Sequence, residues 1–145
     1  LMDTIPSYMT ARHRHCDESF IAAESAVSAN NWDEAAQQWT IFAEDLEHHL
    51  QQEETVLFPA FEQATGMTAG PTQVMRAEHS QMRQLAGEMS EQVTAKNKDQ
   101  FLGLSETLMI LMQQHNMKEE QMLYPMTQAH LPDAAATLTE MQAFK

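Results

Sequence analysis

Apolar residues recur along most of the chain at three- and four-residue spacings, the mark of helices that bury one face. A first helix is predicted over residues 6–29, with Met9, Cys16, Phe20, Ala23 and Val27 on its stripe and Pro6 suited to the first helical position. Asn30-Asn31 breaks that pattern and supplies an N-cap for a second helix opening at Trp32 or Asp33. Its stripe is Trp39, Phe42, Leu46, Leu50 and Leu57, and it ends before Gly66. Pro59 lacks the N–H that the ladder needs, so a kink or an early end is expected near Phe58. After a turn over residues 66–70, Pro71 opens a third helix that fades near Ala95; its stripe is Met75, Glu78, Met82, Leu85 and Met89, with His79 at the edge. Lys96-Asn97-Lys98-Asp99 is the next polar break, with Asp99 as the expected cap of a fourth helix. That helix presents Phe101, Leu104, Leu108, Leu111 and Met122, and a short tail helix follows over residues 132–144.

Four helices of this length on short loops argue for an all-α, up-down-up-down four-helix bundle with a short C-terminal helix, a single domain over 1–145. The topology carries its own test in the polar residues that share the apolar faces. His13 lies in the stripe of the first helix, whereas His15 is about a third of a turn away; His49 and Glu53 are in phase with the second helix, whereas His48 and Glu54 are not. His115 and Glu119 are in phase with the fourth. His13 and His79 lie near the starts of their helices, and the other four lie in the C-terminal halves of theirs. Antiparallel packing therefore brings all six to one level of the bundle.

The level is marked by a repeat. His49-Leu50-Gln51-Gln52-Glu53-Glu54-Thr55-Val56-Leu57-Phe58-Pro59 returns as His115-Asn116-Met117-Lys118-Glu119-Glu120-Gln121-Met122-Leu123-Tyr124-Pro125. In each copy a histidine and a glutamate stand four residues apart, side by side on one helix face. Imidazole and carboxylate are the donors that hold iron, manganese or zinc within a helical bundle, so two facing pairs suit two ions with carboxylates between them. Each histidine taken alone is adequately a hydrogen-bonded core residue, and His15, His48 and His130 are read that way. The conjunction is another matter: two carboxylates and four imidazoles buried without a cation cost several kcal/mol per unpaired charge. A metal-free polar layer in a structural or interaction bundle stays open as the alternative.

Charge and composition narrow the partners. With 21 acidic against 8 basic residues and a net charge of −13, the chain repels nucleic acid, and no basic patch relieves this. The longest apolar run, Leu108 to Met112, is far short of a membrane span, and the opening Leu1-Met2-Asp3-Thr4 has no basic and apolar leader. The single cysteine excludes an internal disulfide, so a cytoplasmic setting is expected. No feature names a protein partner.

On these residues the chain resembles the hemerythrin-like (HHE cation-binding) family over nearly its whole length, through His13-Arg14-His15-Cys16-Asp17, His49 to Pro59, Glu78-His79 and His115 to Pro125. The resemblance implies a non-haem di-iron centre, with His13, His49, His79 and His115 as terminal ligands and Glu53 and Glu119 as bridging carboxylates; manganese or zinc are substitutes. Two departures matter. The oxygen carriers of that family have His-x-x-x-His in their third helix, where this chain has Arg83, and they use an aspartate five residues after the last histidine, where this chain has Glu119 at four. The set is more similar to bacterial members tied to nitrosative and oxidative stress and to iron-centre repair. Open positions on such a centre invite dioxygen, nitric oxide or peroxide. The expected role is binding or reacting with that ligand in sensing, stress defence or iron handling, with an enzyme reducing peroxide or nitric oxide as the alternative.

Some nearby residues are left with two readings. Glu78, next to His79 on the inward face, is either an outer or additional oxygen ligand or an ordinary helix glutamate. Tyr8 and Tyr124 are read as end-of-bundle packing rather than donors to the site, and Cys16 as a small core residue rather than a redox thiol. The 12 methionines are read as adaptable core filler, with a sacrificial oxidant-scavenging role as the alternative for Met75, Met82 and Met122.

Overall fold

The computed structural model describes residues 3–145; Leu1 and Met2, half of the opening segment read as lacking a leader, lie outside the described residues. Thr4 caps α1 (Ile5–Ser28) by accepting from the Ser7 N–H while the Ser7 hydroxyl accepts from the Thr4 N–H, a reciprocal capping box that puts Pro6 in the first turn. Asn31 caps α2 (Trp32–Gln52) through its side chain, as the polar break suggested. Gly70 and Pro71 open α4 (Pro71–Ala95). The cap of α5 (Lys98–Lys118) is Asn97, whose side chain accepts from Gln100 N at 3.2 Å, and Asp99 stands in the first turn instead. Asparagine wins because it is where the chain leaves extended geometry, and the carboxylate one turn inside still favours the positive end of the helix dipole.

The proline near Phe58 does not end its helix. α2 passes through a π turn, Glu53–Leu57, and resumes as α3 (Phe58–Thr65), and α5 does the same through Glu119–Leu123 into α6 (Tyr124–His130). In each, the N–H of the aromatic residue before proline reaches back five residues, Phe58 to the Glu53 carbonyl and Tyr124 to the Glu119 carbonyl. The widened turn relieves the clash that a proline ring makes with the carbonyl four residues before it. It also admits an extra residue, which rotates everything downstream by about 100°. That rotation corrects one expectation: Met122 points out, 59% exposed, and Leu123 takes the inward position. In α4 and α5 the buried faces run through Met75, His79, Met82 and Met89 and through Phe101, Ser105, Leu108 and Met112, so His79 is central rather than marginal while Leu85, Leu104 and Leu111 are only half-buried.

The rods surround one core, with α1 against α2 and α5, and α4 against α2 and α5. α7 (Ala134–Ala143), capped by Asp133, lies across the first π turn and buries Leu138 and Met141. The apolar interior is divided in two. Phe20, Trp39, Phe42, Met89, Phe101 and Leu108 lie in one cluster, while Ile5, Met9, Phe58, Phe61, Met75 and Met141 lie in the other. Between them lies the polar layer.

Candidate metal centre

The C-terminal turns of α2 and α5 bring His49 and His115 to this layer, and Glu53 and Glu119 are the opening residues of the two π turns. α1 adds His13 and α4 adds His79. None of the six is more than 4% exposed. The rings of His13 and His49 lie 4.8 Å apart, centroid to centroid, and those of His79 and His115 lie 5.0 Å apart. Ligand atoms gather into two overlapping groups, Glu53 with His79, His115 and Glu119, and His13 with His49 and Glu119; within each, all atoms are within 4.8 Å of one another, so each could hold a metal ion.

Three of the histidines are aimed by an outer ring of carboxylates, of which the sequence reading had singled out Glu78 alone. Glu120 lies 2.6 Å from His13 Nδ1, Glu54 2.8 Å from His79 Nδ1, and Glu78 2.8 Å from His115 Nδ1. A carboxylate accepts, so in all three rings Nδ1 carries the proton and Nε2 turns its lone pair inward. There it meets further acceptors: His13 Nε2 is 3.1 Å from Glu119 Oε1, His79 Nε2 3.1 Å from Glu53 Oε1, and His115 Nε2 3.2 Å from Glu119 Oε1. Lone pair faces lone pair unless a proton or a cation lies between. Two ligand atoms ~2.1 Å from one ion and at right angles to it stand about 3 Å apart, which is the spacing found here. His49 Nε2, His115 Nε2 and Glu119 Oε2 are buried without any hydrogen-bond partner, so the donor set is unsatisfied without a cation.

Cations anchor part of the outer ring. Arg83 binds both oxygens of Glu54, at 2.8 and 2.9 Å, and both of Glu47, at 2.9 and 3.0 Å, while Lys118 pairs with Glu78. These contacts hold Glu54, Glu47 and Glu78 below the usual carboxylate range despite the opposing effect of partial burial on Glu54 and Glu78.

Tyr124 is the residue the reading misplaced. Its ring is fully buried, and its hydroxyl lies 2.7 Å from Glu53 Oε2, 2.9 Å from Glu119 Oε1 and 3.0 Å from His13 Nε2. The repeat carried the signal, for Phe58 occupies the same place in the other copy and stacks on His79 at 5.5 Å. Tyr8 instead meets the Gln52 side chain at 3.2 Å. In the metal-free chain, burial and the neighbouring Glu119 charge push Glu53 well up; burial also opposes ionisation of Glu119, but His115 and its hydrogen bonds carry that group well below its ordinary value.

The buried layer thus holds a repeated His-x-x-x-Glu, one copy from each of two helices, with a histidine from each of the other two. The family model for the hemerythrin HHE cation binding domain matches residues 4–127. The chain belongs to this family. Neither the curated proteins nor the solved structures provide a match. The HHE domain match takes in all six inward residues and stops short of α7, which nonetheless completes the end of the layer: Gln52, next to Glu53, donates to the Met141 carbonyl at 2.7 Å, and His48 Nε2 meets the Phe144 carbonyl at 2.9 Å. His15 is exposed and meets Asp45, and exposed His130 meets its own helix, so both lie outside the layer. Cys16 is buried with its thiol donating to Asp45, and burial beside that carboxylate pushes the thiol up, which keeps it protonated. Among the described residues no helix of this HHE domain is long and apolar enough to cross a membrane.

Proposed function

We propose that this chain, acting as a single domain over 1–145, holds a carboxylate-bridged non-haem di-iron centre. His13, His49, His79 and His115 are its terminal ligands, and Glu53 and Glu119 stand between the ions; manganese or zinc can replace iron. Glu78 serves as an outer carboxylate that orients His115. The observation that carries this reading is the set of lone pairs aimed at one another at about 3 Å inside a buried layer, which an ion at each group would satisfy. When bound, the iron pair supplies open coordination positions for dioxygen, nitric oxide or peroxide. The chain's own residues fix the imidazoles through Glu54, Glu78 and Glu120 and hold a phenolic proton at Tyr124. The role is sensing, stress defence or iron handling in the cytoplasm, for which the buried layer isolates the reactive ions between two apolar clusters.

The decisive experiment is elemental mass spectrometry of protein purified without oxygen and without a nickel column. About two irons per chain is expected; no iron, with none taken up from added Fe(II), means a metal-free polar layer and ends the proposal. Tyr124 favours a second reading, because a phenol 2.7 Å from Glu53 is a proton source where reduction of peroxide or nitric oxide needs one. A steady-state rate well above that of free iron, lost in Glu53→Ala, would establish that enzyme.

A further inference from the structure

The two halves of the layer are built to different standards. His79 Nδ1 is backed by Glu54, which Arg83 grips by both oxygens, and His115 Nδ1 is backed by Glu78, which Lys118 grips in turn. Across the layer, His13 Nδ1 is backed by Glu120, whose side chain is 35% exposed and has no lysine or arginine within ion-pair distance among the described residues. His49 has no outer partner: its Nδ1 is buried and unpaired, and its Nε2 stands 3.6 Å from Glu53 Oε1, too far for a hydrogen bond.

The asymmetry is written in the two single-histidine helices. α4 reads Glu78-His79-x-x-x-Arg83, and α1 reads Arg12-His13-x-x-x-Asp17, with the charge reversed at both flanking positions. Arg12 has no oxygen to offer an imidazole and directs its guanidinium to Asp45. Asp17 cannot anchor Glu120 as Arg83 anchors Glu54, since both are acids. It lies with Glu120 and Gln113 on a groove between α1 and α5, and from that groove the Glu120 carboxylate reaches in to the buried His13 Nδ1.

Resting on the di-iron reading, we propose that the two metal positions are unequal: the His79–His115 position holds its ion tightly, and the His13–His49 position is the exchangeable one, loaded and unloaded through the acidic α1–α5 groove. The physical cause is the outer ring. An imidazole held by an anchored carboxylate keeps its tautomer, orientation and basicity, whereas one with no partner must be ordered by the metal itself, and loss of such a partner typically costs 10–100-fold in affinity. The ligand is a divalent first-row cation, and the solvent-side position is where an external chelating acceptor can take it.

Zn(II), which is redox-inert, is the probe. Competition between the metal-free full chain and a chromophoric chelator should give two dissociation constants about 10–100-fold apart. Crystals grown with one equivalent of Zn(II) should show the anomalous peak between His79 and His115. Arg83→Gln and Lys118→Gln, checked for folding by circular dichroism, should weaken the tight constant about tenfold or more and bring the two together. Two equal constants, or an anomalous peak between His13 and His49, overturns the proposal while leaving the di-iron reading intact. No bound zinc at all overturns the di-iron reading itself. The wild-type titration and crystal decide the matter even if a variant fails to fold.

Discussion

Neighbouring residues of one type do different work in this layer. Glu53 faces inward and Glu54 faces His79 from outside; Glu119 and Glu120 divide in the same way around His13. Helical phase alone separates them, because adjacent residues lie about 100° apart on a helix. Phase placed the first of each pair on the inward face, but it left Glu54 off that face and gave Glu120 no role, since nothing in a single helix says which neighbouring helix will supply an imidazole. Arg83 is similar: where the oxygen carriers have a histidine, the arginine turns to Glu54 and Glu47 and braces the carboxylate behind His79. Tyr124→Phe isolates the phenol, because Phe58 shows that a phenylalanine ring fits the equivalent place in the repeat. The variant should keep its iron, read by elemental analysis. Its metal-free form should lose about 1–3 kcal/mol of unfolding free energy in urea, the cost of leaving buried acceptors without their donor. Unchanged metal-free stability would mean that the hydroxyl is not a donor to the glutamates.

The elements carry the layer through features that are not strictly α-helical. A π turn at each Glu-Glu pair places the carboxylate at the layer and delivers an aromatic ring directly behind it. Helix ends matter too. Gly66 closes α3 at φ 72° in open space, so Gly66→Ala meets no neighbour but forces a side chain into left-handed backbone. It should cost about 1 kcal/mol, measured by denaturant unfolding. α7 makes a larger contribution than its length suggests, because Leu138 is buried in the cluster beneath the first π turn. Leu138→Ala should cost about 2–5 kcal/mol. Loss of less than 1 kcal/mol would show that the tail helix merely rests on the bundle.

At the scale of the whole molecule, metal, proton and stability are linked. Burial lowers the pKa of His13 and His115, yet Glu119 with Glu120 or Glu78 outweighs it, and both sit above the ordinary imidazole value in the metal-free chain. Burial carries His49 and His79 below it. A metal ion needs all four neutral, so protons at His13 and His115 start to compete above pH 6.5, and competition deepens as pH falls. Metal content after equilibration should therefore drop from neutral pH downward, and full occupancy at pH 4 would refute the ligand assignment. Ions held in the layer would bind only the folded chain, so a chelator at neutral pH should lower Tm. An unchanged Tm supports the metal-free layer instead.

How much was legible follows from what a one-dimensional pattern contains. Apolar periodicity, proline and asparagine punctuation and a repeated His-x-x-x-Glu determined the helices, their antiparallel order and the six inward residues, because phase and level are properties of each helix separately. The roles of Glu54 and Glu120, the histidine that Glu78 serves, the Tyr124 hydroxyl, the rotation of Met122 out of the core and the unequal support of the two histidine pairs were decided only by the tertiary structure. Each depends on which groups from different helices meet across the seams and on the extra residue in each π turn. Neither is encoded in the spacing of any single helix.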